Sequence, residues 1–218
     1  MTAAISVQDP ERRLALAYAS PDLRDGLAHL WALDEQMGAI LASVRDPMLA
    51  ELRLAWWREA LEGLARGEAQ VDPILRGIAR LPVDPEALAR LADGWIALLG
   101  DLPLENEAIR VHAAERGGVL FGQAVRLLGG NHDGLEAAGE AWALVDLAAR
   151  ISDAETAAAA RCLACEQLAA VKGRWPRTLR PLAVLTALAR RDATRAATRR
   201  QGAPGRLLRA IIAGISGY

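Results

Sequence analysis

The chain has 218 residues, of which 52% are hydrophobic and 24% are charged. Ala, Leu, Arg and Glu dominate, a composition that favours helices over strands and is apolar enough for a sizeable core. The net charge of −1, and the scarcity of aromatic residues in the most basic part of the chain, argue against a nucleic-acid-binding protein.

The sequence also predicts a cytoplasmic location. Residues 1–13 do not combine a basic start with an apolar core, as a secretory signal would. The apolar runs are shorter than the ~18 residues that a membrane-spanning helix needs. Two cysteines in the whole chain fit a reducing compartment.

Turn signals divide the chain into predicted helices, several of which begin at an Asp-Pro or Ser-Pro step. In chain order we expect a short helix from Pro10 and then helices at about 22–44, 47–66, 73–80, 85–100, 104–128, 133–153, 154–172, 176–200 and 206–214. No stretch shows the two-residue alternation of a half-buried strand. We therefore predict one all-α domain over residues 1–218, with eight to ten helices.

The helix at 22–44 places one carboxylate on its apolar side. Leu27 and Leu41 lie one heptad before and after Asp34, which predicts that Asp34 points towards the core. Glu35 lies about 100° further around the same helix. A buried carboxylate needs a cation or hydrogen-bond donors, so Asp34 is a candidate site residue.

The helix at 47–66 repeats this pattern with a cation. A broad apolar arc includes Leu52, Trp56 and Trp57, and Arg53 falls in its middle. A guanidinium keeps its proton even in a core, so Arg53 must find an anion or reach water. Two interpretations are open: a buried ion pair between Arg53 and Asp34, or a polar cavity that both residues line.

A third charged group lies near the end of the helix at 133–153. Asp146, Arg150 and Asp153 are spaced four and three residues apart, so Arg150 can bridge both acids along one helix face. The alternative is a second charged wall that faces Asp34.

The helix at 104–128 contains three glycines, Gly117, Gly118 and Gly122. Each costs roughly 1 kcal/mol relative to alanine in a helix interior. Three glycines in six positions predict close packing of another helix against this backbone or, alternatively, close approach of a ligand.

Several segments of the sequence resemble the squalene/phytoene synthase family. The Arg-x-x-Trp-Trp-Arg run and the Gly-Gly helix are the most specific parts of the resemblance, which rests on residues 28–33, 51–61, 114–121, 127–129 and 139–144. It implies a helical bundle of the isoprenoid (terpenoid) synthase type around a deep cavity. Enzymes of the family join two prenyl diphosphates head to head, with Mg²⁺ held by two aspartate-rich motifs on facing helices.

The sequence departs from the family's pattern at both aspartate-rich motifs. Residues 37–42, where the first motif belongs, contain no acid. The two acid positions of the second motif fall on Arg150 and Ala154 or, in another register, on Ile151 and Glu155. The chain therefore resembles more closely a branch that keeps the Trp-Trp helix and lacks the aspartates. That branch includes a mitochondrial assembly factor for respiratory complex I.

From this resemblance we predict a non-catalytic isoprenoid-binding, lipid-binding or assembly-factor-like protein, with no metal or other cofactor. The candidate substrate-binding residues are Arg53, Trp56, Trp57, Gly118 and Arg150. The alternative is an active, Mg²⁺-dependent prenyltransferase that condenses farnesyl or geranylgeranyl diphosphate. Its candidate catalytic residues are the nearby acids Asp34, Glu35, Asp146 and Asp153.

Charge is distributed unevenly along the chain. Residues 161–218 carry twelve basic and two acidic side chains, a net charge of +10, whereas residues 1–160 have a net charge of −11. The two parts can neutralise each other by packing together. The alternative is that the basic part, with the apolar stretch 207–215, docks on an anionic membrane or a protein partner. That alternative would place the protein at the surface of the inner membrane.

Overall fold

The computed structural model describes residues 5–194 and 202–218, which form helices and no strand. The helices are α1 (Pro10–Leu16), α2 (Pro21–Ser43), α3 (Pro47–Ala65), α4 (Pro73–Ile78), α5 (Pro85–Ile96), α6 (Asn106–His112), a π-helical segment (Ala113–Gly118), α7 (Val119–Leu128), α8 (Leu135–Arg150), α9 (Ala154–Ala170), α10 (Arg180–Ala193) and α11 (Pro204–Ser216). Because α6, the π segment and α7 follow one another without a break, the described residues contain ten separate helices. The all-α prediction is confirmed.

Aspartate followed by proline sets the start of several helices. The side chains of Asp9, Asp46, Asp72 and Asp84 accept hydrogen bonds from the first backbone N–H groups of α1, α3, α4 and α5. In each case proline occupies the first helical position, where its missing N–H is not needed. The predicted starts at Pro10, Pro47 and Pro85 follow from this local chemistry.

Two predicted helices differ from the observed ones by four residues or more at one end, and the other predicted ends lie within three residues of the observed ones. The helix predicted at 85–100 ends at Ile96. Beyond it the backbone N–H groups of Leu98 and Leu99 bond to carbonyls three residues earlier, which is 3₁₀ and not α-helical geometry. The helix predicted at 176–200 begins at Arg180, after a 3₁₀ turn. Residues 195–200 of that prediction lie outside the described residues.

The backbone of the π segment lies in close contact with the backbones of α5 and α8. A Cβ on Gly117 would overlap the carbonyl oxygen of Gly139 in α8, and a Cβ on Gly94 in α5 would lie 2.8 Å from the backbone nitrogen of Arg116. Glycine at these positions lets the three backbones touch. Close helix packing is therefore the correct interpretation for Gly117. By contrast, a Cβ on Gly122 would meet nothing within 4 Å.

Helix α3 buries a different face from the predicted one. Its buried residues lie on one stripe and include Leu54, Trp57 and Leu61, and the helix packs mainly against α5. Trp56 is 51% exposed, and Arg53 lies on the exposed side with it. The prediction that Arg53 sits on a core face is therefore wrong. The apolar arc is broader than the face that packs, and its outer half stays in solvent.

Candidate ligand-binding cavity

A cavity of about 1050 Å³ opens to solvent beside α2, α5, the π segment and α8. Apolar side chains on its wall are Leu41, Val44, Leu98, Leu99, Leu102, Leu147 and Ile151. Charged side chains on its wall are Asp9, Arg12, Asp34, Glu35, Arg45, Arg116, Asp146 and Arg150. This combination of apolar surface with a few converging polar groups is typical of a small-molecule site.

Asp34 is fully buried at this cavity, and both of its oxygens accept hydrogen bonds from arginines. Oδ2 accepts from Nη2 of Arg12 at 2.5 Å and from Nη2 of Arg116 at 3.1 Å, while Oδ1 accepts from Nε of Arg116 at 2.9 Å. The indole Nε1 of Trp95 donates a further bond to Oδ1 at 3.0 Å. These donors allow the carboxylate to stay ionised away from water. Arg53 is not among them, so the first of the two interpretations, an ion pair between Asp34 and Arg53, is wrong.

Arg116 connects Asp34 to the facing helix α8. Its Nη2 also donates to Oδ2 of Asp146, at 2.8 Å. Its guanidinium lies over the rings of Trp95 and Trp142, at 4.2 and 4.7 Å from the ring centroids. One cation thus bridges two carboxylates from two helices and is held between aromatic faces.

Arg150 extends this network towards solvent. Its Nε donates to Oδ1 of Asp146 at 2.9 Å, and its Nη2 lies 3.8 Å from Oδ2 of Asp9. The expected contact between Arg150 and Asp146 is therefore present. Asp153 does not join it, because its side chain caps α9 by accepting from the backbone N–H of Thr156.

Burial and charge act in opposite directions on Asp34. Burial raises the pKa of this carboxyl, but the attraction of Arg116 and Arg12, with their hydrogen bonds, outweighs burial and holds the pKa at about 2. Burial lowers the pKa of Arg116, and the charges of Asp34 and Asp146 raise it further than burial lowers it. Asp34 and Arg116 are therefore both ionised throughout the physiological pH range.

His112 stays neutral beside these charges. Burial and then the positive charge of Arg116 lower its pKa to about 4. Its Nδ1 lies 2.7 Å from the carbonyl oxygen of Gly94 and so must carry the proton of the neutral ring. Its Nε2 lies 3.5 Å from Nη1 of Arg116, which can donate to it.

Arg12 and Arg116 are the site residues that sequence reasoning missed. Arg116 had a detectable signal, because Ile109, Ala113 and Leu120 place it on the buried face of its helix. Arg12 lies in a helix of seven residues, which is too short for a periodic pattern.

Four predicted site residues meet at the cavity, and five do not. Asp34, Glu35, Asp146 and Arg150 lie on its wall. Glu35 accepts hydrogen bonds from the backbone N–H groups of residues 8 and 9. The residues away from the wall are Arg53, Trp56, Trp57, Gly118 and Asp153. Trp57 is buried in the α3 packing, and a Cβ on Gly118 would face only the side chains of α8, so neither reaches a ligand in this cavity.

The charged groups of the cavity do not fit a magnesium–diphosphate cluster. Mg²⁺ needs several oxygen ligands in octahedral geometry. The oxygens of Asp34 already accept from two guanidinium groups and an indole, and Arg116 occupies the space between Asp34 and Asp146. Among the described residues, no group of three or more His, Cys, Asp or Glu side chains is arranged to hold a metal ion.

No protein-family model matches this sequence, and no curated protein is significantly similar to it. Among solved structures, the chain is similar to a dehydrosqualene synthase determined in complex with a ligand, with a TM-score of 0.62. The match covers 94% of this chain and 90% of the synthase chain, at 11% sequence identity. The chain therefore has a squalene/phytoene synthase-like fold, and the predicted bundle of the isoprenoid synthase type is confirmed.

Proposed function

We propose that this protein binds an uncharged isoprenoid or lipid in its cavity and does not catalyse metal-dependent prenyl transfer. The observation that carries the proposal is the guanidinium of Arg116, which donates to both Asp34 and Asp146. In this fold family, acids on facing helices hold the magnesium ions that bind diphosphate. Here an arginine of the chain itself neutralises the acids before any ligand arrives.

The charge balance of the wall supports an uncharged ligand. Four arginines, Arg12, Arg45, Arg116 and Arg150, line the cavity, and so do four acids, Asp9, Asp34, Glu35 and Asp146. The wall therefore has no formal excess of positive charge. A diphosphate that bound Arg12 or Arg116 would have to displace the carboxylate of Asp34, which costs the energy of a buried ion pair.

The size and lining of the cavity support an apolar chain. Its volume of about 1050 Å³ is just above the ~300–1,000 Å³ range of small-molecule pockets. Seven leucine, valine and isoleucine side chains of the wall offer apolar contact along the cavity. We further propose that the chain is related to the branch that lacks the aspartate motifs and includes an assembly factor for respiratory complex I, and that it acts by binding or assembly.

Equilibrium dialysis with radiolabelled farnesol and farnesyl diphosphate tests the proposal. We expect farnesol to bind equally well in EDTA and in Mg²⁺. Farnesyl diphosphate should bind at least about tenfold more weakly, a difference of ~1.4 kcal/mol. Product analysis of the same mixtures should show no condensation or diphosphate release. Turnover that requires Mg²⁺ and is lost in Asp34→Ala would instead establish the active prenyltransferase.

A matched pair of variants locates the bound ligand. Ala39 lines the cavity on α2, whereas Ala158 is exposed on α9 and does not. Ala39→Trp should fill part of the cavity and weaken farnesol binding, while Ala158→Trp should leave it unchanged. Equal binding by both variants would show that the ligand binds elsewhere.

A further inference from the structure

Helix α11 packs on the protein with its small residues and exposes its large ones. Ala210, Ala213 and Gly214 are buried, and a Cβ on Gly214 would overlap the ring of Tyr18. The exposed side chains, which we call the α11 stripe, are 36–70% exposed: Leu207, Leu208, Ile211, Ile212 and Ile215. A helix that only completed the core would bury the large aliphatic residues and expose the alanines.

An ion pair fixes this orientation of α11. Arg206 is buried on the inner side of the helix, where its Nε donates to Oε1 of Glu11 at 2.6 Å and its Nη1 donates to Asp192. Turning the helix to bury the stripe would break this buried network, and removing one partner of such a pair is strongly destabilising. The exposure of the stripe is thus built into the fold.

Arginines gather at the C-terminal end of the stripe. Nε of Arg174 donates to the carbonyl oxygen of Ser216 at 2.6 Å, and Nη1 of Arg180 lies 3.5 Å from that of Ala213. Arg177 lies in the 3₁₀ turn directly before Arg180, and burial, followed by repulsion from Arg174 and Arg177, lowers the pKa of Arg180. Residues 193–218 contain no Asp or Glu.

We propose that the α11 stripe is a docking surface for an anionic lipid bilayer. The stripe supplies apolar area for the interfacial layer. Arg174, which donates to α11, and Arg177, in the 3₁₀ turn before α10, are both exposed and can meet phosphate headgroups. Among the described residues, no helix has the length and apolarity to cross a membrane. The proposal does not depend on what the cavity binds.

Charge favours a lipid surface over a second copy of the chain. Two copies that met through α11 would bring the same arginines towards each other. No acid between residues 193 and 218 is present to compensate them. Anionic headgroups would instead neutralise these cations.

The exposed apolar face of α3 provides a matched control. Met48, Leu49 and Leu52 are 42–72% exposed, about as exposed as the side chains of the α11 stripe. Glu51 and Glu59 accompany this face and outnumber Arg53 on the same side, so it should attract anionic lipid less than the α11 stripe does. Three exposed aliphatic residues can therefore be changed to glutamine on either helix with little effect on the core.

Co-sedimentation with vesicles of phosphatidylglycerol and phosphatidylcholine tests the proposal on the full chain. We expect binding to mixed vesicles, weak binding to phosphatidylcholine alone, and loss of binding as salt rises. Leu208→Gln/Ile212→Gln/Ile215→Gln and, separately, Arg174→Gln/Arg177→Gln should each weaken binding at least about tenfold. Met48→Gln/Leu49→Gln/Leu52→Gln should not.

Circular dichroism establishes that each variant is folded before its binding is compared, and the arginine variant tests the proposal even if the triple variant unfolds. Absence of binding to anionic vesicles overturns the proposal. So does an equal loss in the α3 variant. A concentration-dependent dimer that disappears in the α11 triple variant would assign the stripe to a second copy instead.

Discussion

Arg116 and Arg53 occur in the same kind of sequence pattern, but Arg116 is buried and Arg53 is exposed. Each lies on an apolar arc of its helix, and Arg53 even has two tryptophans beside it. Arg116 is 1% exposed and bridges two carboxylates, whereas Arg53 lies in solvent on the outer side of α3. An arginine on an apolar arc therefore becomes a buried cation only where the facing helices bring carboxylates to it.

Backbone approach explains the difference. The π segment that carries Arg116 packs between α5 and α8, and glycines at these contacts allow the backbones to approach closely. This approach brings the side chains around Arg116 within hydrogen-bond distance. The π-helical turn that carries Arg116 is a geometry often found at functional sites. Helix α3 packs through a stripe that does not contain Arg53, and the guanidinium of Arg53 therefore stays in solvent.

Removing the charge of Arg116 should have the largest effect. Arg116→Met keeps the length of the side chain but leaves Asp34 and Asp146 without their shared partner. Breaking a buried pair costs about 3–5 kcal/mol, and the remaining contacts with Arg12 and Arg150 place the expected loss near the lower value. Urea unfolding measures it. A loss below about 1 kcal/mol would mean that Arg12 and Arg150 alone are enough to compensate the charges of Asp34 and Asp146.

Closing the glycine contact should destabilise the fold almost as much. In Gly117→Ala the new methyl would overlap the backbone of Gly139, and we expect a loss of roughly 2–3 kcal/mol in the free energy of unfolding. Gly122→Ala adds the same methyl where nothing lies within 4 Å and should stabilise the helix by up to about 1 kcal/mol. If both substitutions destabilised alike, packing at Gly117 would not be the cause.

Acid should weaken the network through His112. Its pKa is about 4 in the folded chain and 6.5 when unperturbed, so the unfolded state binds a proton first as pH falls below 6.5. Stability is then complete above pH 6.5 and decreases towards pH 4, by roughly 2 kcal/mol between pH 7 and pH 5. Asp34, with its pKa lowered to about 2, adds a loss only below about pH 4.

The variant His112→Gln isolates this effect from other titrating groups. The lowered pKa of His132 acts in the same direction, and the raised pKa of Glu140 acts against it. Both are present in the variant, so the difference between the two stability–pH curves belongs to His112. Parallel curves between pH 7 and pH 5 would contradict the assignment.

Local chemistry made part of this molecule predictable. The Asp-Pro steps gave the helix starts, the heptad spacing around Asp34 placed it inward, and the glycines of the helix at 104–128 indicated close packing. The identity of the cation facing Asp34 was not predictable, because Arg116 is 82 residues away in sequence and only the packing of three helices brings it there. The periodicity of one helix also does not reveal how much of its apolar arc other helices will cover, as the exposed half of the α3 arc shows.

The smallest effect is expected at Arg53, and it completes the comparison. Arg53→Met makes the same chemical change as Arg116→Met, but at a site where solvent already surrounds the charge. Exposed substitutions away from caps and networks usually change stability by less than about 0.5 kcal/mol. Urea unfolding and farnesol binding should therefore both match the unmodified protein. A loss comparable to that of Arg116→Met would mean that Arg53 has a buried partner, and that the outer face of α3 is part of the core after all.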